Sequence, residues 1–432
     1  MRFVSTNFAS EPVGLAEAVN RCVASDGGMF IPQEIPVLPR AFFNNIGEMS
    51  LADIAFVVAS SFFGQDIPPA ELKKIVDETF AADAPLVKVG DRYVLELFHG
   101  PTLTFKDYGA RFMARVMQWL DRRNPGRRRN VLVATMGNSG AAAANGFAGM
   151  DGVDVYVLYP KGGLSRLQRA TIFAPGGNIH PVEVLGSIDD CKSLVRTAIE
   201  DPALKGLNLT GANSINIARL IPQIVFTFYA YSRLRAMGVA DAEKAVYSVP
   251  CGNCSNLVAA VMALRTGLPA GGVIAATNLN MPLQTALGNT VAGKLEPSFA
   301  PGMDTTHPSG APRLQALYRN DRERFGREVC IAPPVSDEVI ADTIRGLSRD
   351  AGYLIDPHGA AAYAASQRAD VAPGLPVVVF ATGHPAKLQS TMERITGVSI
   401  PLPPSLARSL GQRHQHVLIP PTLPALKKLL NK

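Results

Sequence analysis

At 432 residues, 47% of them hydrophobic and 18% charged, the chain exceeds one comfortable core and has the composition of a packed globular protein of two or more domains. Its 38 Gly and 33 Pro are spread along the chain, which excludes a collagen-like or low-complexity architecture. The net charge of +6 is modest and at most suits an anionic ligand, and no stretch reaches the uninterrupted apolar length of a membrane span. Residues 1–95 are mixed and largely helical in pattern, with Leu51–Phe63 and Glu71–Phe80 apolar at helical spacing and divided by Gly64 and Pro68-Pro69. From Val94 onward short β-branched runs alternate with helical stretches. Strands are predicted over Val131–Ala134, Val153–Tyr159, Ile179–Leu185, Val246–Val249, Val273–Ala276 and Val377–Phe380. Helices are predicted over Ser139–Ala148, Leu164–Phe173, Ile188–Ile199, Ile215–Met237, Asn256–Thr266 and Ser336–Ala351. Such alternation indicates an α/β fold of βαβ units, and the unbroken apolar runs indicate strands of a mostly parallel sheet buried on both faces.

Arginines bunch between Asp121 and Asn130, but no aromatic residue or second basic run accompanies them. A solvated loop with an Asn-Pro-Gly turn is expected there, and no nucleic-acid partner. Five cysteines are too few and too odd in number for a disulfide framework. The first twenty residues lack a charged start followed by an apolar stretch, so a cytoplasmic protein is expected.

Four strand-to-helix turns carry the chemistry, because ligands of open α/β sheets bind at strand carboxyl ends beside helix N-termini. In His99-Gly-Pro-Thr-Leu-Thr-Phe-Lys-Asp-Tyr108, Asp107 is a potential helix cap. Lys106 then stands just outside the N-terminus, where the helix dipole favours the neutral amine needed for Schiff-base chemistry. In Thr135-Met-Gly-Asn-Ser-Gly140, glycines let the backbone approach a ligand, Ser139 is a potential cap and Asn138 offers donor and acceptor. Pro250-Cys-Gly-Asn-Cys-Ser-Asn256 suits a phosphate cup of backbone N–H groups. It also contains a Cys-x-x-Cys, so a redox pair or half a zinc site is the alternative, and helix-end thiols are open to oxidation unless a phosphate dianion opposes it. No second cysteine pair or spaced histidines accompany it, so no metal is expected. The fourth turn, Phe380-Ala-Thr-Gly-His-Pro-Ala-Lys387, offers the Thr382 hydroxyl, a His384 read as structural, and Pro385 at a first helical position.

Together these segments resemble the threonine synthases, a fold-type-II pyridoxal-phosphate family, almost end to end. The resemblance rests on Asp26-Gly-Gly-Met-Phe-Ile-Pro32, on His99 to Asp107, on Tyr159-Pro-Lys161 with Ser165 and Gln168, and on Gly176-Gly-Asn-Ile179. It continues through Ala212-Asn-Ser-Ile-Asn216 with Arg219, Cys251 to Asn256, Asp356-Pro-His358 and Thr382 to Lys387. It implies two α/β domains with mostly parallel sheets, over 96–240 and 241–432 with interleaved lobes, behind an N-terminal helical segment at 1–95. Pyridoxal 5'-phosphate would join Lys106 as an internal aldimine. The backbone of Gly252, Asn253, Cys254, Ser255 and Asn256 would hold its phosphate, Asn138 its 3'-oxygen, and Thr382 its ring nitrogen, left largely neutral. Ser139, Lys161, Asn213 and Ser214 would meet the anionic groups of a small amino-acid substrate, O-phospho-L-homoserine, which is converted with water to L-threonine and phosphate by a monomer or homodimer.

Three places depart from the family pattern: Met136 replaces a common serine, Asn278-Leu-Asn-Met281 lacks the family's Asp and the Arg that follows it, and Met303 to Arg313 lacks the expected S-N-F-E-R. All three are expected near substrate, so the alternative within the family is a threonine-synthase-like enzyme of secondary metabolism acting on a related activated amino acid.

Overall fold

The computed structural model describes residues 1–123, 128–173, 177–291, 293–319, 321–411 and 415–431. Near the N-terminus β1 (Phe3–Ser5) pairs antiparallel with β2 (Phe30–Pro32), strands too short to show as alternation in sequence. A hairpin follows, β3 (Leu86–Val89) and β4 (Arg92–Glu96). The next strands are β5 (Arg129–Ala134), β6 (Val153–Pro160), β7 (Ile179–Val184) and β8 (Leu209–Gly211), then β9 (Val246–Pro250), β10 (Gly272–Ala276), β11 (Val329–Ile331), β12 (Val377–Ala381) and β13 (Val417–Ile419). They form a five-stranded parallel sheet in the order β13-β7-β6-β5-β8 and a six-stranded sheet in the order β11-β10-β9-β12-β4-β3. The second sheet is parallel except for its β3–β4 edge.

Every residue of β5 and β6 is buried, as the unbroken apolar runs imply for strands covered on both faces. The helices and strands predicted from periodicity all form, with ends within two residues of the pattern. The helix Ile217–Ala236 is buried along nearly its whole length and belongs to the core cluster that also contains Val131 and Val133 of β5 and Tyr247 and Val249 of β9. One core therefore spans both sheets.

Sheet membership crosses the approximate limits expected at residues 95 and 240. The β3–β4 hairpin belongs to the second sheet, and β13 returns to the edge of the first. Parallel pairing joins segments distant in sequence, so composition along the chain does not reveal it. The basic run is corrected at its end, because Arg129 is only 2% exposed and is bonded to both carboxylate oxygens of Asp121, while Arg128 pairs with Asp154. Burial of the first residue of β5 demands that partner. The Asn-Pro-Gly turn lies outside the described residues.

After β13, the helix Leu423–Leu430 inserts Leu426 and Leu430 among Leu194, Val195 and Ala198 of the helix Ile188–Glu200. Leu426→Ala should lower stability by about 2–4 kcal/mol through the cavity it leaves, read as a shifted urea midpoint. An unchanged midpoint would show that this helix does not pack there in solution.

Candidate active site

The four turns singled out in the sequence all leave the carboxyl ends of strands β4, β5, β9 and β12 and meet in one cleft. β12 lies between β4 and β9 in the sheet, and its end is sewn to the segment before Lys106. The Thr382 carbonyl accepts from the Phe105 amide at 3.0 Å and the Thr104 hydroxyl at 3.1 Å, while the His384 amide donates to the Leu103 carbonyl at 3.1 Å. These bonds fix where the next residue, Lys106, enters the helix Lys106–Asp121.

Asp107 does not cap that helix. It lies in the first turn with its carboxylate folded back onto Thr102, accepting from the Thr102 amide at 2.8 Å and from its hydroxyl. The tight 100–105 turn brings that amide within reach. Lys106 is half-buried in the cleft wall. Burial, then the charges of Arg219 and Lys387, lower its pKa from 10.5 to about 8. Arg219 donates to the carbonyls of Ala212 and of Lys106 itself. Lys387 donates to the Thr102 carbonyl at 2.5 Å, and burial brings its pKa to about 8 against the opposing charge of Asp107.

The turn after β9 forms a cup. Cys254 adopts the left-handed conformation (φ +59°) at the entrance to the helix Ser255–Arg265. A Cβ on Gly252 would lie 2.2 Å from the Gly302 carbonyl oxygen, so only glycine lets the backbone sit this deep. Asn256, 3% exposed, has neither amide atom bonded within the protein. A buried amide left so at a helix N-terminus requires an external polar partner. The loop Ser309–Gly310 closes the side of the cup, its amides donating to the Asn253 side chain at 3.4 Å and the Asn253 carbonyl at 2.8 Å.

At the end of β5 the helix entrance also differs from expectation. Thr135, not Ser139, takes the capping role, its hydroxyl oxygen accepting from the amides of Gly137 and Gly140, both at 2.9 Å. Gly137 (φ +119°) makes that turn possible. Asn138 and Ser139 are thereby free to line the cleft with Lys106, Ser214 and Thr382. His384 is structural as expected, its Nδ1 accepting from the Ala386 amide at 3.1 Å with Pro385 opening the short helix.

Not every residue read from the sequence arrives. Lys161 is exposed at the end of β6 and outside the cleft lining. Asn213 spends both ends of its amide on the backbone of Ala134, at 3.2 and 2.9 Å, and clamps β8 to β5. Met281 also lies outside the lining, whereas Met136 is in it. The structure adds Arg219, Lys387 and His358. His358 holds a proton toward Asp356 at 2.6 Å and accepts from the Gly302 amide at 2.9 Å, which braces the segment facing Gly252. Each lay in a motif already noted, but no local pattern shows that three distant motifs face one amine.

Comparison with known proteins agrees with this geometry. Residues 85–383 match the family model described as pyridoxal-phosphate dependent enzyme, and residues 2–80 match threonine synthase N terminus. A threonine synthase of Serratia marcescens is 36% identical over 98% of this chain and 97% of its own length. The crystal structure of threonine synthase from Escherichia coli superposes with a TM-score of 0.91 at 34% identity, covering 100% of this chain and 99% of that one. The pyridoxal-phosphate-bound threonine synthase of Brucella melitensis gives 0.90 at 29% identity, covering 100% and 98%. The chain belongs to the threonine synthase family.

Threonine synthase membership brings pyridoxal phosphate as cofactor, and the residues present fit it. The cup offers a helix N-terminus and an unpaired buried amide for the phosphate, and Lys106 offers a depressed amine for the aldehyde. A zinc reading of Cys251 and Cys254 finds no companions, since the two sulfurs are bonded to each other and no group of three potential ligands occurs among the described residues.

Two outcomes follow. Covalent capture of the cofactor, trapped by borohydride and located by mass spectrometry, should map to Lys106 and vanish in Lys106→Ala. Because the lowered pKa leaves more free amine as pH rises through about 8, the capture rate should climb there and flatten above, rather than climbing on toward 10.5. A profile still rising at high pH would refute the depressed amine. Separately, Asn256→Ala should weaken cofactor binding by about tenfold, the worth of one charge-assisted hydrogen bond, in an equilibrium titration.

Proposed function

We propose that this enzyme converts O-phospho-L-homoserine and water to L-threonine and inorganic phosphate. The observation that carries the reading is Lys106, a depressed amine at the meeting point of the phosphate cup, Asn138 and Thr382, in a chain similar over its whole length to threonine synthases. Bound pyridoxal phosphate supplies an electron sink conjugated with the substrate's Cα, which acidifies the hydrogens on Cα and then Cβ. With the cofactor bound, the Lys106 amine would take the Cα proton. Loss of a Cβ proton would expel the γ-phosphate, Lys106 would return a proton to Cγ, water would add its hydroxyl at Cβ, and a proton would return to Cα. Within the cofactor subsite the Gly252–Asn256 backbone and the Asn256 amide would hold the phosphate. Asn138 would meet the 3'-oxygen, and the neutral Thr382 hydroxyl would meet the ring nitrogen.

The substrate's own anionic groups have Ser139 and Ser214 within the cleft, and Lys387 supplies the cation expected of Lys161. The smaller part of the cleft, on the other side of Lys106, carries Gln168 and Met136. In this reading the protein is cytoplasmic and acts as a monomer or homodimer, and no helix among the described residues is long and apolar enough to cross a membrane.

Met136, 42% exposed, is the observation favouring a related activated amino acid as substrate, because a thioether replaces a hydroxyl at the cleft wall. Assay of phosphate release and threonine formation from O-phospho-L-homoserine decides between them. Threonine should form, with kcat falling at least ~1000-fold in Lys106→Ala and KM rising in Lys387→Met. Cofactor-loaded protein that releases no phosphate from this substrate would establish the other reading.

A further inference from the structure

Cys251 and Cys254 are bonded to each other across Gly252 and Asn253, within the loop that cradles the cofactor phosphate. Cys251 is fully buried at the end of β9, its amide donating to the Ala276 carbonyl at 2.8 Å. Cys254 is 3% exposed and lines the cleft. Access to the bond therefore runs through the cofactor site. We propose that Cys251 and Cys254 form a reversible thiol–disulfide site, exchanging with small dithiols and their disulfides through the cleft, whose redox state and cofactor binding control each other. The inference rests on the pyridoxal-phosphate reading of the same loop.

The exchange balances with a dithiol as co-reactant. One thiolate attacks Cys254 Sγ, and the disulfide electron pair departs on Cys251 Sγ, which takes up a proton. The second thiolate then attacks the mixed disulfide and releases Cys254, which is protonated in turn. The dithiol loses two electrons and the protein pair gains them.

Both states fit the fold. A reduced Cys254 thiol has the Gly252 carbonyl oxygen 3.3 Å away as its acceptor, and Cys251 stays within the apolar core. What changes is the stiffness of the cup. Cys254 holds a left-handed backbone (φ +59°), an uncommon conformation for a non-glycine residue. The disulfide closes the 251–254 turn on this conformation and limits the loop's freedom to leave it. Reduction frees Cys254 to leave this conformation, so the reduced cup must be ordered when phosphate binds. We expect cofactor affinity to fall by about tenfold on reduction, the scale of a lost preorganised loop. By reciprocity the bound cofactor makes the disulfide harder to reduce by the same factor. It also covers Cys254 Sγ, so reduction of the holoenzyme is slower.

The test equilibrates the full-length protein in reduced and oxidised dithiothreitol at graded ratios, with and without saturating pyridoxal phosphate. After acid quenching and alkylation, thiols are counted by mass on the peptide containing residues 251–254, apart from the free Cys22, Cys191 and Cys330. The expected midpoint moves about tenfold toward more reducing buffer when cofactor is present. Cofactor titrations of the oxidised and reduced protein should differ by the same factor, and Cys254→Ser should bind with the reduced-form affinity in every buffer. A midpoint indifferent to cofactor, or a pair that remains as thiols throughout, overturns the proposal while leaving the cofactor reading intact. Failure of either redox form to bind pyridoxal phosphate overturns both. The wild-type titration stands even if the variant does not fold.

Discussion

Three basic side chains share the wall of one desolvated cleft, and a cluster of that kind holds its protons less tightly than isolated side chains do. Lys106, Lys387 and Arg219 are each lowered by burial, and Lys106 additionally by the other two. The carboxylate beside them, Asp107, is itself buried and shifted upward despite its bonds to Thr102. The cluster thus holds less negative charge than positive, and it relieves the imbalance by releasing a proton or by accepting an anion. An enzyme that needs a free amine and binds a phosphorylated substrate uses both responses. The lowered amine of Lys106 follows first from burial and then from these neighbouring charges, more than from the helix dipole.

Crowding of this sort requires the three groups to come from three elements. Lys106 follows β4, Lys387 follows β12, and Arg219 projects from the buried helix Ile217–Ala236. Adjacent pairing of β4, β12 and β9 brings two of the lysine-bearing and phosphate-binding turns side by side. The Thr382 carbonyl then ties Phe105 in place. Backbone bonds do this work, and they cost no side-chain entropy when ligand arrives. Gly252 and the Asp356–His358–Gly302 relay serve the same end from the opposite side, since each holds main chain close to main chain.

Substrate selectivity is distributed differently. Ser309 keeps a place at the cup through Asn253 and through the Ser214 hydroxyl at 3.1 Å. Arg313, fully buried, donates to the carbonyls of Phe30, Ser214 and Ile215, so it positions the Ser214 loop instead of meeting ligand. The segment at 278–281 closes on itself, with Asn278 bonded to Ser298 and Asp304. Of the three departing segments, Met136 and Met303 line the cleft wall and Met281 does not.

The amino-acid sequence by itself determined the alternation of strands and helices, the burial of β5 and β6, the four functional turns and the cofactor. These are encoded locally: period, β-branched runs, glycines at strand ends and the His99–Asp107 motif each lie within a dozen neighbouring residues. Tertiary structure alone decided the rest. It showed that Asp107 and Ser139 are not caps, because capping depends on which amide a folded-back turn presents. It withdrew Lys161 and Asn213 from the site and added Lys387 and Arg219, because proximity to an amine depends on strand order. It returned β13 to the first sheet, because parallel pairing costs no particular sequence signature. It also turned the Cys-x-x-Cys from a competing redox or zinc reading into a bonded pair at the phosphate cup.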